Sequence, residues 1–376
     1  MVNVLQIPTK TIMRSKVQLH IIFILFAVAV SAQQPEYTRR ISRSFPAKKS
    51  ITVDISNKYG RIQVLNWNQD SVKIDIDLRI RTKDKQKLSK LKDGIDFEFI
   101  EGQSFIKAET KFGENSTDLF KDLVDIAGTY LSSSNSVTIN YTVFIPLNTS
   151  LKIENKFGDV YMDECQGNLD LQLSYGDLKA DILNGQSVIR LTSGDGDVGY
   201  IKKGELFLSY GNIHIREAGN LTAQTRSSNV TLEKVSSISV DSRRDKLFLN
   251  EVNTISGECY FTEMNLGIIT GSINLSGRYG GIKTEQIKRT FTSINVASVL
   301  TDLSLGFEKP LSFRFEMNHP QDIVFVYPET IASINTDLIN PDDKIYRTSG
   351  SFGTTVKDSK VLLNINRKCA VTILVK

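Results

Sequence analysis

Apolar and polar residues alternate along short stretches in the middle of this 376-residue chain, and the pattern returns about every 17 residues. Alternation with a period of two is typical of a β-strand with one buried face, whereas an amphipathic helix would repeat every three or four residues. Each unit therefore predicts two short strands on either side of one anchor position. The anchor is held in turn by Gly158, Gly176, Gly196, Gly211, Ser228, Asp245, Thr262 and Gly280.

The alternation changes parity at the anchor, because apolar residues fall on odd offsets before it and on even offsets after it. This change predicts a corner at which glycine tolerates a positive φ. A third apolar row recurs seven residues after the anchor and contains Cys165, Leu183, Ala218, Val235, Val252, Ile269 and Ile287.

No single unit can bury its apolar face alone, so successive units must stack about 4.8 Å apart around a continuous core. The predicted fold is all-β, a parallel β-solenoid with about 17 residues per coil. The general bias of parallel crossovers favours right-handed winding. The same register predicts four residues that share the core: Leu171, Leu191, Val240 and Leu249.

Segments with a different pattern of apolar and polar residues flank the repeat, and the chain is expected to have four parts. The expected parts are a signal peptide at 1–32, a first coil with an N-terminal α+β capping insertion at 33–150, the solenoid repeats at 151–300 and a C-terminal β cap at 301–376. Within the insertion, the pattern predicts strands at 72–80, 95–100 and 137–145, and helices at 83–92 and 117–130. Caps are expected because the open end of a solenoid exposes unpaired strand edges.

The first 32 residues have the pattern of a secretory leader, with Arg14 and Lys16 before an apolar run and the small residues Val30-Ser31-Ala32 at its end. The run contains about a dozen apolar residues, which is short of the roughly 20 that a membrane-spanning helix needs. We therefore expect an exported protein, located in the periplasm, at the cell surface or outside the cell. No transmembrane helix is expected after removal of the leader.

The charge of the mature chain is nearly balanced, with 43 Lys and Arg residues beside 42 Asp and Glu once the three cations of the leader are removed. Binding to nucleic acid usually needs a strong basic surplus. Nucleic acid is therefore not an expected partner.

Polar residues directly after the anchor form the first candidate binding site: Asp159, Asp177, Asp197, Asn212 and Asn229. Stacked coils would place them in one ladder, with neighbours about 4.8 Å apart. Carboxylates this close repel one another unless a cation or a water molecule lies between them, which indicates a site for a cation or for glycan hydroxyls. The alternative is turn chemistry, in which Asp and Asn satisfy local backbone groups.

Aromatic residues directly before the anchor form the second candidate row, which contains Phe157, Tyr175 and Tyr210. Such a row either stacks on sugar rings or packs the corner, and Asp195 is expected to interrupt it. Tyr175 and Tyr210 therefore join the candidate binding residues.

The sequence contains no catalytic or metal-binding pattern, so no catalytic residue, metal ligand or cofactor is assigned. Neither His214 nor His319 stands in a cluster of ligands, and the three cysteines lack the spacing of a metal site. A disulfide between Cys165 and Cys259 is not expected, because about five coils would separate the two residues by roughly 25 Å.

Several turn motifs resemble those of a known group of proteins. NKYG at 57–60, NKFG at 155–158, the run GRIQVLNW at 60–67 and the repeated SYG are similar to bacterial envelope proteins grouped as adhesins or as DUF-type β-strand-repeat proteins. The resemblance covers roughly residues 46–300. It implies an exported, adhesive β-solenoid without catalytic residues, and an association with envelope-stress sigma and anti-sigma factors.

Three functional hypotheses are consistent with these features. The leading one is a non-enzymatic envelope protein that presents an adhesin-like binding or scaffolding surface to a glycan or to another envelope protein. The second is a polysaccharide-active β-helix enzyme, a lyase or hydrolase, which would need the acidic ladder beside a basic group. The third is a partner in an envelope-stress, anti-sigma system.

Overall fold

The computed structural model describes residues 35–47, 50–113, 136–353 and 358–376. These residues form a parallel β-solenoid of about nine turns with about 18 residues per turn, which confirms the predicted fold class. The leader at 1–32 and the helix expected at 117–130 lie outside the described residues.

The described residues of the N-terminal part form strands and one helix. Its elements are β1 Glu36–Pro46, β2 Thr52–Lys58, β3 Ile62–Asn66, β4 Ser71–Arg81, α1 Lys85–Asp93, β5 Ile95–Glu101, β6 Phe105–Phe112, β7 Ser136–Ile145, β8 Ser150–Lys156 and β9 Val160–Cys165. The strands expected at 72–80, 95–100 and 137–145 correspond to β4, β5 and β7, and the Lys-rich helix to α1. The side chain of Asp84 caps α1 by accepting hydrogen bonds from the backbone N–H groups of Gln86 and Lys87.

Long strands build most of the middle of the solenoid, and shorter ones close its C-terminal end. The middle strands are β10 Leu169–Ser174, β11 Leu178–Thr192, β12 Gly196–Ser209, β13 Asn212–Arg226, β14 Asn229–Arg243, β15 Lys246–Tyr260, β16 Glu263–Ile287 and β17 Ser293–Phe307. The C-terminal strands are β18 Phe313–Pro320, β19 Val324–Val326, β20 Ala332–Asn340, β21 Ile345–Phe352, β22 Lys360–Ile365 and β23 Ala370–Val375.

Each coil has two faces that meet at the anchor corner. The first face consists of the strand segments that lead to the anchor, and the second face of those that follow it. Leu171 on the first face pairs in register with Ile153 of one neighbouring coil and Ile189 of the other, so the inward side chains form columns along the axis. The four residues predicted to share the core are at most 5% exposed, which confirms their inward orientation.

The third anchor is Gly194 and not Gly196, which corrects the register of one coil. A Cβ on Gly194 would touch the carbonyl oxygen of Gly176, whereas Gly196 pairs with Leu178 and Ile213 beyond the corner. Sequence spacing could not separate two glycines that lie two residues apart, and only the pairing of neighbouring coils does so. With Gly196 as the anchor, Tyr200 would point into the core. In the structure it is half-buried and faces outward.

Neither end of the solenoid follows the order of the chain. At the N-terminal end, the coil of β2 and β3 lies between the coil of β6 and β7 and the coil of β8 and β9. At the C-terminal end, β22 and β23 lie between β17 and the terminal strands β18 and β19. Two segments near the chain ends are therefore held by strands on both sides.

Antiparallel strands complete the predicted caps. β1 pairs with β4, β4 with β7 and β5 with β6 at one end, while β18, β21 and β20 pair at the other. β1 and β5 pack across the N-terminal end, where the ring centroids of Phe45 and Phe99 are 6.2 Å apart. This contact covers apolar surface that the end of the solenoid would otherwise expose.

Candidate functional site

One residue with left-handed backbone conformation stands at every anchor corner. The residues are Tyr59, Phe157, Tyr175, Ser193, Tyr210, Ser227, Arg244, Phe261, Tyr279 and Leu300, and their φ values lie between 51° and 64°. The positive φ expected at the glycine anchor thus belongs to the residue before it. Glycine is needed for close approach of the coils instead, because a Cβ on Gly176 would lie 2.2 Å from the carbonyl oxygen of Gly158.

These ten residues and the residue directly before each of them form a line along the solenoid, which we call the ridge. Several large side chains of the ridge are exposed to solvent, among them Tyr175 (51%), Tyr210 (68%), Phe261 (57%) and Tyr279 (46%). Exposed aromatic rings on a backbone paired on both sides are typical of binding surfaces, because little conformational freedom is lost on contact.

The acidic ladder runs beside the ridge through Asp159, Asp177 and Asp195. Asp195 takes the rung that the sequence assigned to Asp197, because the corner lies at Gly194. Asp197 lies on the second face, where its carboxylate is 3.4 Å from the guanidinium of Arg216. The ladder continues through Asn212 and Asn229 as predicted, since the amide of Asn229 donates to the side-chain oxygen of Asn212 at 2.7 Å.

One oxygen of each ladder carboxylate binds the backbone of the next coil. The Oδ1 atom of Asp159 accepts from the N–H of Asp177 at 2.9 Å, that of Asp177 from Asp195 at 2.9 Å, and that of Asp195 from Asn212 at 3.0 Å. These contacts favour the turn interpretation for the Oδ1 atoms. The Oδ2 atoms of Asp177 and Asp195 have no hydrogen-bond partner among the described residues, and both side chains are exposed.

No group of three or more His, Cys, Asp and Glu side chains in the described part of the chain is arranged to hold a metal ion. His214 lies on the second face, with its Nε2 atom 2.8 Å from the carboxylate of Glu233. His319 is buried and forms a hydrogen bond with the hydroxyl of Thr348, which is a structural contact.

The aromatic row is made of separate stacks. The ring centroids of Tyr59 and Phe157 are 5.5 Å apart, and those of Phe157 and Tyr175 are 5.1 Å apart. Ser193 ends this stack, and not Asp195, again because of the shifted anchor. Tyr210 stands alone on the next coil.

Tyr175 and Tyr210 therefore border an open rung, which we call the tyrosine slot (Tyr175, Ser193 and Tyr210). The two tyrosines are two coils apart, which corresponds to roughly 10 Å. Polar groups line both sides of the slot: Ser174, Thr192 and Ser209 precede its residues, and Asp177, Asp195 and Asn212 follow at the ladder. A serine between two aromatic rings thus creates a recess with hydrogen-bonding groups on either side.

The C-terminal half of the ridge carries arginines. We call Arg226, Arg243, Arg244, Tyr260, Phe261, Arg278 and Tyr279 the arginine patch. The rings of Phe261 and Tyr279 stack at 4.8 Å, and the guanidinium carbons of Arg243 and Arg278 lie 5.6 and 5.5 Å from the ring centroid of Tyr260. In the sequence, Arg226, Arg243 and Arg278 each stand two positions before an anchor. Phe261 precedes the anchor Thr262 and not a glycine, so it was not included in the predicted aromatic row.

A buried carboxylate fixes the corner beneath the arginine patch. Asp245 is 3% exposed, and it accepts hydrogen bonds from the backbone N–H groups of Ser228 and Arg243 and from the hydroxyls of Thr225 and Ser242, all at 2.6–2.8 Å. Four donors compensate for the burial of the charge. The patch is therefore presented by a rigid backbone.

The three cysteines are free and buried. Burial raises the pKa of the Cys165 thiol to about 11 and that of Cys259 to about 12, and it also raises the pKa of Cys369. Thiols with raised pKa values are poor nucleophiles and poor metal ligands at neutral pH. All three cysteines therefore serve as small core residues.

Comparisons with known proteins add little to this geometry. No family model matches the chain, and no curated protein matches it. A solved structure of a candidate cell adhesion protein from Clostridium sporogenes aligns with 90% of this chain and 100% of its own length, at 10% identity and a TM-score of 0.20. A candidate adhesin from Bacteroides fragilis aligns with 90% of this chain and 97% of its own length, at 12% identity and a TM-score of 0.28. Scores this low carry no inference about function.

Among the described residues, no helix has the length and hydrophobicity to cross a membrane.

Proposed function

We propose that this chain is a non-enzymatic, exported envelope protein of adhesin type, and that the ridge of its solenoid binds carbohydrate. The tyrosine slot is the observation that carries the proposal. It combines two exposed aromatic side chains, a separation of roughly 10 Å and polar groups on both sides, which together suit one sugar ring. The apolar faces of the sugar would contact the tyrosines, and its hydroxyls would contact the polar groups.

Five polar groups of the slot remain available for such a ligand, whereas the side chain of Asn212 is bound to Asp195 and Asn229. The hydroxyls of Ser174, Thr192 and Ser209 have no hydrogen-bond partner in the ranges that the structure describes, nor do the Oδ2 atoms of Asp177 and Asp195. Hydroxyl and carboxylate groups supply the donors and acceptors that sugar hydroxyls require. The ladder thus combines the two interpretations of the sequence, with one oxygen used for the corner and the other free for a ligand.

The polysaccharide-active enzyme is the weaker alternative. An enzyme of this kind needs a basic group beside its acidic groups, yet no described Lys or Arg forms an ion pair with Asp159, Asp177 or Asp195. The arginine of the patch nearest to Asp195 is Arg226, two coils away. Nothing in this arrangement pairs an acid with a base.

The test is binding of the mature protein to a glycan array, followed by titration of the best ligand. We expect Tyr175→Ala and Tyr210→Ala to weaken binding at least tenfold, since stacking on one ring contributes about 1–3 kcal/mol where it has been measured for nucleobases. Ser193→Tyr should abolish binding, because a tyrosine there would fill the slot and join the aromatic row. Phe248→Ala is the matched control, since Phe248 is 45% exposed on the second face.

Unchanged affinity in Ser193→Tyr would exclude the slot, and the absence of any glycan ligand would refute the proposed function. Thermal melting of each variant checks that the solenoid is intact. Retention of an envelope protein in a pull-down that does not depend on the tyrosines would favour the scaffolding alternative.

A further inference from the structure

The arginine patch contains positive charge that the protein itself does not neutralise. Arg243 pairs with Asp241 at 3.4 Å. The guanidinium groups of Arg226, Arg244 and Arg278 form no ion pair with any described residue. All three side chains are exposed on one edge of the solenoid.

Neighbouring coils place like charges side by side. Arg226 pairs in register with Arg243 of the next coil, and coils are about 4.8 Å apart. Like charges directly opposite each other in a sheet are destabilising. An anion bound between these side chains would relieve the repulsion and would gain charge-assisted hydrogen bonds.

Aromatic rings hold part of the patch in place. Tyr260 pairs in register with Arg243 on one side and Arg278 on the other, and both guanidinium groups lie within 6 Å of its ring. Stacking on an aromatic face orients the planar guanidinium and leaves its N–H edge free. Three carboxylates beside the patch have other contacts: Asp241 pairs with Arg243, Glu258 accepts from the hydroxyl of Tyr260, and Asp245 is buried. Glu263, at the ladder position after Phe261 and Thr262, is exposed and forms no ion pair with an arginine in the described part of the chain.

The patch begins directly beside the tyrosine slot. Tyr210 and Arg226 belong to adjacent coils, since the backbone N–H of Tyr210 donates to the carbonyl oxygen of Arg226 at 3.1 Å. A chain molecule held in the slot and extended along the ridge would therefore reach Arg226 on the next coil and Arg243 and Arg244 on the following one. Its charged groups would meet the guanidinium groups in succession.

We infer that the ridge binds a linear acidic polysaccharide, with one sugar ring in the tyrosine slot and the carboxylates of the following uronate residues on the arginine patch. This inference rests on the proposed function and adds the chemical class of the ligand. The near-neutral charge of the whole chain is compatible with it, because a local cluster of arginines does not require a surplus of positive charge over the whole chain.

The test compares two forms of one polysaccharide, polygalacturonate oligomers and the same oligomers with methyl-esterified carboxylates, by calorimetric titration. We expect the acid form to bind at least tenfold more tightly and the preference to shrink at high salt, since exposed ion pairs are screened. Polygalacturonate should also raise the melting temperature of the wild-type protein, because a ligand of the native state stabilises it.

Two triple variants remove three positive charges each. Arg226→Gln/Arg244→Gln/Arg278→Gln should weaken binding of the acid form about tenfold and leave the methyl ester unchanged. The matched control, Lys179→Gln/Lys202→Gln/Lys283→Gln, changes exposed side chains outside the ridge and should alter neither affinity by more than about twofold.

Other results of these experiments would contradict the inference, and one of them would also contradict the proposed function. Equal affinity for both ligand forms, or equal effects of the two triple variants, would overturn the inference and leave the proposed function standing. Binding of neither form, combined with an array without ligands, would overturn both. If duplex DNA displaced polygalacturonate with equal affinity, the patch would be a general polyanion site and the assignment to uronate carboxylates would be wrong.

Discussion

At the scale of single residues, the ridge depends on side chains held in a conformation that L-residues seldom adopt. Ten ridge residues other than glycine have φ between 51° and 64°, and six of them are aromatic. The left-handed conformation costs roughly 1–2 kcal/mol per residue, and the paired coils on both sides enforce it. The same conformation directs the side chains of Tyr175 and Tyr210 away from the core, which is why they are exposed.

The buried cysteines make stability depend on alkaline pH. Because burial disfavours the thiolate, the pKa values of Cys165 and Cys259 lie at about 11 and 12 in the folded protein, above the ordinary value of 9.0. Each thiol therefore contributes its full stabilisation below about pH 9, and this contribution is lost as the pH rises toward 11 or 12. Within that window each thiol should lower the free energy of unfolding by up to about 1.4 kcal/mol per pH unit.

Urea unfolding at pH 8, 9, 10 and 10.5 measures this slope, with Cys259→Ala as the control that lacks one thiol. We expect the wild-type protein to lose stability faster than the variant above pH 9, although both also lose it through the titration of tyrosines and lysines. Parallel curves would show that Cys259 ionises freely in the folded state.

At the scale of elements, the corner is where neighbouring coils approach most closely. Gly158, Gly176 and Gly194 stack directly on one another, while the coils anchored by Ser228, Asp245 and Thr262 use hydrogen-bonded side chains instead. Corners of two kinds therefore support the two halves of the ridge. The glycine corners lie under the tyrosine slot, and the polar corners lie under the arginine patch except at Arg278 and Tyr279, whose corner is Gly280.

Gly176→Ala should destabilise the protein by about 2 kcal/mol or more, which is the range for forcing an atom into a packed site. The added Cβ would lie 2.2 Å from the carbonyl oxygen of Gly158, so the coils would have to separate. Gly113→Ala is the control, because the nearest described atoms beyond its chain neighbours would lie 3.9 Å from its Cβ. Chemical denaturation of both variants decides the point, and equal stabilities would mean that the coils are farther apart at this corner.

The period of the elements was predictable from sequence because burial of one strand face imposes a period of two and stacking imposes a period near 17. What the sequence left open was which residue of Ser193–Gly199 forms the corner, since a glycine two residues away satisfies the same alternation. That choice moved Asp195 into the ladder and Ser193 into the aromatic row. The tyrosine slot depends on both shifts, so it became visible only when neighbouring coils were placed in register.

At the scale of the whole molecule, the coils near both ends of the solenoid do not stack in the order of the chain. β22 and β23 are central strands, each paired on both sides, although they hold the last residues of the chain. Among the described strands, β1 and β20 pair on one side only, with β4 and β21. Sequence periodicity could not reveal this order, because an inserted coil has the same alternation as a terminal one.

Hydrogen exchange can test the interleaved ends directly. Chain termini usually exchange first, because few contacts hold them. Here the amides of 360–365 and 370–372 should be protected as strongly as those of the middle coils, since these residues lie between paired strands. The amides of 332–340 should exchange faster, because half of them face no strand, and so should alternate amides of 36–46. The segment 52–66 should behave like the middle coils, because it lies between two others.

If 360–365 and 370–372 exchanged as fast as 332–340, these strands would have to lie at an edge of the solenoid, and the coils would then follow the order of the chain.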